Sequence, residues 1–150
     1  MKITFHLRWG HLLWVFVFLY FPLNALALEA SATIKVTPLI QSTQSWNGAS
    51  IAYPAGQAQI TGLMIEIAPG ADTGWHQHPA PSFGVITQGT LEVTLRDGQV
   101  KRLQAGDALI EVVNTDHIGR NVGDVPVKLI VFYAGTVGQV LTVKTDEVKH

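Results

Sequence analysis

His76 and His78 stand two residues apart in the run Trp75-His76-Gln77-His78. On an extended strand, side chains at i and i+2 share one face and lie about 6–7 Å apart along it. Two imidazoles at that separation can close on one metal ion, whereas neighbours in sequence point apart, so Gln77 and Trp75 are expected to face the other way. A third donor has to come from a strand paired beside the first, and His117 follows an apolar run at a suitable distance. Three imidazoles with coordination positions left open form the donor set of a catalytic rather than a structural metal site. The expected cofactor is one divalent transition metal ion. Imidazole suits zinc, copper, iron and nickel alike, and the donor set does not set manganese apart from them. An H-x-H pair also arises as a surface accident, so its flanks decide its weight.

The elements that must hold these residues read as β throughout. Proline recurs at 38, 54, 69, 79, 81 and 126 and glycine is frequent, which leaves little room for long helices. Alternating or wholly apolar runs fill the gaps: 34–37, 62–68, 83–87, 90–96, 100–104, 108–113, 127–134 and 140–144. Turn residues separate them, and Arg96-Asp97-Gly98-Gln99 predicts a two-residue type I′ hairpin. Many short strands at such spacing predict an all-β sandwich or barrel rather than βαβ units. Residues 38–58 are polar and loop-like, an N-terminal arm lying on the barrel.

Ahead of this domain lies a different kind of segment. Seven of the thirteen aromatics fall within residues 1–27, so the mean hydropathy of +0.25 overstates the apolarity of the rest. Lys2 and Arg8 precede the unbroken apolar run 12–21, and Ala25-Leu26-Ala27 follows the break at Pro22. That order is expected of a cleavable secretory signal peptide, with Ala30-Ser31-Ala32 as a second cleavage position and an uncleaved N-terminal anchor as the alternative. The apolar run is about half of the roughly 20 residues a membrane span requires. The expected organisation is a signal peptide over 1–27, an arm over 28–59 and a barrel over 60–150, in a periplasmic or secreted protein. Residues 28–150 carry 8 basic and 11 acidic side chains, a net charge of −3, which is no footprint for nucleic acid. No cysteine is present, so an exported chain has no disulfide framework and thiol chemistry is excluded. P-loop and serine-hydrolase motifs are absent as well.

The flanks of the histidines carry a resemblance. Gly70, five residues, then His76-x-His78, with Gly89 closing the segment, is similar to the first motif of the cupin superfamily. Gly106, His117 and Asn121 in GDALIEVVNTDHIGRN are similar to the second. The resemblance covers about residues 60–134. It implies a small jelly-roll β-barrel, metal on His76, His78 and His117 in the barrel mouth, and a homodimer. This chain departs from the pattern where the first motif carries a Glu after the second His, since Ser82 and Phe83 stand there. The fourth ligand is then absent, or Ser82 reaches the metal weakly or through a water. In the second motif the usual Pro and Gly are Val112 and Asn114, changes that touch turn geometry more than ligation. A site without the carboxylate leaves the ion its full charge, which favours an anionic or enolate-like ligand.

Other residues are weighed against plainer roles. Glu111, in the apolar run 108–113, is either a base or substitute ligand at the barrel mouth or a residue on an exposed face or in a salt bridge; strand alternation favours the exposed face or the salt bridge. Asn121 either orients His117 from behind or serves a turn. Trp75 and Phe83 either line a ligand pocket or pack at the core and rim. Two functional classes follow. One is a metal-dependent enzyme on a small chelating organic substrate, for which quercetin-dioxygenase-like cupins are the first comparison, with isomerisation as a variant. The other is a periplasmic module that binds a small molecule or a metal without turnover.

Overall fold

The computed structural model describes residues 33–145; the signal-peptide expectation over 1–27 lies outside them. The chain divides into two units, Met1–Val36 and Thr37–His150, and the fold below belongs to the second. No helix occurs among the described residues. Nine strands form among them: β1 Ala58–Ile67, β2 His76–Gln77, β3 Ser82–Gln88, β4 Thr90–Leu95, β5 Val100–Gln104, β6 Ala108–Ile110, β7 His117–Asn121, β8 Val127–Thr136 and β9 Val143–Lys144. They make two sheets, of order β1-β8-β3-β6 and β5-β4-β7-β2-β9, with every pair antiparallel. This is the two-sheet arrangement of a jelly roll.

Strand alternation builds the core. Along β8, Val127, Leu129, Val131 and Tyr133 are buried while Ile130 and Phe132 are exposed. The inward set meets Ile67, Ile86 and Leu109 from its own sheet and Leu91, Val93 and Leu103 from the other. The core is thus a double layer of branched aliphatic side chains, and burying each is worth about 1.5–3 kcal/mol.

Several local expectations change. The Arg96–Gln99 turn is not type I′, because Gly98 alone takes a positive φ, of 88°. Gly98 N–H donates to Leu95 O and Leu95 N–H to Gln99 O, which is a three-residue loop with a left-handed glycine at its end. β1 begins at Ala58, so residues expected in the arm pair in register with β8, Ala58 opposite Thr136. β7 was not predicted as a strand, since HIGRN alternates in burial but not in hydropathy. Asn114 takes a φ of 49°, the left-handed turn for which the second motif normally carries glycine. A short amide side chain tolerates that conformation better than most residues do.

The segment ahead of β1 folds into a tight loop. Ile51 N–H donates to Thr43 O and Ser45 N–H to Ala49 O, and Trp46 N–H donates to Ile110 O at the end of β6.

Candidate metal centre

The three histidines meet through sheet pairing. β2 lies antiparallel to β7 with His76 directly opposite His117. His78 lies two residues beyond His76 on the same face. The ring centroids are 4.8 Å apart for His76 and His78, 4.3 Å for His76 and His117, and 5.0 Å for His78 and His117. All three are buried, with exposures of 7%, 6% and 2%, and one ring nitrogen of each lies within 4.8 Å of the others.

Each ring is held by the backbone. His76 Nδ1–H donates to Gly74 O at 2.8 Å, His78 Nδ1–H to Leu141 O at 2.8 Å and His117 Nδ1–H to Thr115 O at 2.9 Å. A proton committed to Nδ1 leaves the Nε2 lone pair free, the tautomer a metal needs. Burial pushes the His78 imidazolium down to about 4 and lowers that of His76 as well, so both rings are neutral at physiological pH. Three converging, backbone-oriented imidazoles fit a divalent transition ion by donor chemistry and by geometry.

The cluster opens on a cavity of about 240 Å³ between the two sheets. Most of its wall is aliphatic, including Ile65, Ile86, Val93 and Leu129. The polar groups gather at the histidine end: Thr73, Ser82, Glu111, Tyr133, Thr142 and Lys144. Tyr133 packs edge-on to His78 with centroids 5.2 Å apart, and burial raises its phenol.

Ser82 and Glu111 lie at the cavity, whereas Trp75, Phe83 and Asn121 do not line it. Trp75 faces away from His76, as alternation requires, and the Arg96 guanidinium stacks 3.8 Å over its ring. Phe83 lies on the outer side of β3, in a shallow groove with Leu39 and Ile40. Asn121 is buried and points inward, but it is four residues along β7 from His117, about 13 Å at strand rise. Its amide donates to Ile67 O and Val125 O and its Oδ1 accepts from Gly123 N–H, so it ties loops together instead of orienting His117.

Glu111 lies on no exposed face but within ion-pair reach of His117, the salt-bridge alternative of the sequence reading. Its side chain is 12% exposed, and its Oε2 lies 3.9 Å from His117 Nε2. Leu109 lines the cavity and Glu111 follows it at i+2, so alternation sends the carboxylate inward. Ile110 and Val112 on the opposite side are buried too, so polarity along the run gave no sign of which side faces in. Sequence reasoning missed Tyr133, Lys144 and the Leu141 carbonyl. Tyr133 reads as one more inward residue of β8, and a backbone acceptor leaves no trace in residue type.

A cupin domain family matches residues 63–133. Among solved structures, a cupin-like protein from Thermotoga maritima matches with a TM-score of 0.53 at 22% identity, over 60% of this chain and 67% of its own. The DMSP lyase DddQ from Ruegeria pomeroyi matches at 0.51 and 24% identity, over 57% of this chain and 43% of its own. Bacillus subtilis oxalate decarboxylase matches at 0.50 and 23% identity, over 57% of this chain and 23% of its own. The chain spans less than half the length of the DMSP lyases it matches. No curated protein matches it. These likenesses show the fold and support the cupin superfamily; at such identities they carry no substrate.

Proposed function

We propose that this cupin-fold chain is an exported metal-dependent enzyme that binds a small chelating organic substrate at the three-histidine centre and oxidises it in dioxygenase-like fashion. The observation that carries the reading is the convergence of three buried imidazoles, each with Nδ1 tied to a backbone carbonyl. Manganese centres in the oxalate decarboxylase of like fold are in keeping with a redox-active ion. Such an ion supplies Lewis-acid activation of a chelating substrate and a route for electrons to dioxygen.

The protein's own groups shape what binds. The cavity, at about 240 Å³, lies below the roughly 300–1,000 Å³ of drug-sized ligand sites, which favours a compact substrate. Its aliphatic wall lowers the polarity beside the reacting end and strengthens the electrostatics there. The Tyr133 hydroxyl, protonated at neutral pH, is positioned to donate to a substrate oxygen at the histidine end.

A second reading is favoured by one observation. Ser82 replaces the carboxylate that the cupin motif carries, and without that group the barrel serves as a periplasmic module that binds a small molecule or metal without turnover, or as a metal-dependent isomerase. Oxygen uptake separates them. Mature protein loaded in turn with iron, manganese, copper, nickel and zinc is given small catechols, enediols and a flavonol under air. Uptake with a redox-active ion, abolished in His78→Ala, is the expected result. No uptake with any of these metals supports the binding module, and product isomers without uptake support the isomerase. Export rests on the order of residues 1–27; mass spectrometry of the processed chain should find a start at Leu28 or Thr33.

A further inference from the structure

We infer that Glu111 is the carboxylate donor of this metal centre, moved one strand across from the position Ser82 now holds, and that Trp46 is its positioning residue. The inference rests on reading the three histidines as a metal centre. β3 and β6 pair with Phe83 opposite Ile110 and Gly84 opposite Leu109. The next step places Ser82 opposite Glu111, and the pairing continues there, with Glu111 N–H donating to Ser82 O at 3.0 Å. Both side chains line the same cavity. A carboxylate lost from one position is therefore supplied by its direct cross-strand neighbour, which reaches the same end of the barrel.

The two oxygens of Glu111 are used differently. Oε1 accepts from Trp46 Nε1–H at 2.8 Å and from the Val112 N–H at 2.9 Å. Oε2 is turned toward one histidine of the cluster, 3.9 Å from His117 Nε2. Among the described residues, the one ion-pair contact of this nearly buried carboxylate is that histidine. Sequestering a carboxylate is costly unless a cation lies beside it, and a divalent ion held by the three imidazoles answers that need. With Oε1 held by two donors, Oε2 is the atom presented to the metal. Trp46 makes this possible because its loop is anchored next door: its backbone N–H donates to Ile110 O while its indole reaches Glu111. Pinning a metal-ligating carboxylate by a hydrogen bond from outside the site fixes its orientation and tunes affinity.

The test uses the full mature chain with zinc or cobalt alone. Zinc affinity is read by chelator competition, the visible spectrum is read on the cobalt-loaded protein, and the melting temperature is read on the metal-free protein. Glu111→Gln, nearly isosteric, should weaken zinc by about tenfold to a hundredfold and change the cobalt spectrum. Trp46→Phe keeps a ring in place and removes only the N–H; it should weaken zinc by about tenfold and move the cobalt spectrum toward that of Glu111→Gln. Glu111→Asp serves as the conservative variant and should keep more of the affinity than Glu111→Gln. A Glu111→Gln variant with wild-type zinc affinity and cobalt spectrum overturns the donor role. A Trp46→Phe variant that melts lower but keeps both overturns the positioning role. A wild-type chain that binds neither ion overturns the metal centre itself, a different result from either.

Discussion

His78 concentrates the physics of the site. Its ring is 6% exposed, burial holds its imidazolium down to about 4, and its Nδ1–H is committed to Leu141 O. In the unfolded chain the ring titrates near 6.5. Between these values the unfolded chain binds more protons than the folded one, so folding stability rises with pH across the window. The metal-free protein should therefore lose stability as pH falls from about 6.5 to about 4, by roughly 3 kcal/mol from this ring, and level off below that. Chemical denaturation of the metal-free chain at a series of pH values checks this. His78→Ala should flatten the curve in that interval. The H-x-H pair could be read from the sequence because strand alternation places i and i+2 together whatever lies around them. Glu111 could not, because its neighbours are buried on both sides and alternation then has no polar face to mark.

Short elements do most of the positioning. Gly89, between β3 and β4, takes a φ of 80°, and a Cβ there would lie 2.8 Å from Pro126 O and 2.9 Å from Val127 Cα. Gly89→Ala combines left-handed strain with a backbone clash, and should cost about 2 kcal/mol or more in thermal unfolding. Two-residue β9 has a role its length hides. It pairs with β2 through Lys144 opposite His76 and Val143 opposite Gln77, and the Leu141 carbonyl just before it orients His78. Ending the chain after Val140 should leave the two sheets folded while weakening zinc about tenfold to a hundredfold in chelator competition. The long strands were legible because apolar alternation over six or more residues has few other readings. β7 was not, since five mixed residues are shaped by what they pair with and not by their own pattern.

At the scale of the molecule, two sheets enclose an aliphatic interior with chemistry at one end and an unusually apolar outside. Ile60, Met64 and Phe132 are 62%, 78% and 51% exposed on neighbouring β1 and β8, with Gly62 beneath the Phe132 ring. Contiguous apolar surface of this kind marks association sites. The cupin resemblance implies a homodimer; if a second copy covers this face, Met64→Asp should convert a dimer to a monomer in analytical ultracentrifugation without changing the metal content. The central claim is that His76, His78 and His117 form one metal centre that the barrel holds but does not need for folding. Metal content per chain, measured on the purified protein and on the His78→Ala and His117→Ala variants alongside their circular dichroism, tests it most directly. One transition ion per wild-type chain and essentially none in either variant, with the β-sheet spectrum retained, is the predicted result. Equal metal in the variants, or none in the wild type under metal-replete expression, would contradict it.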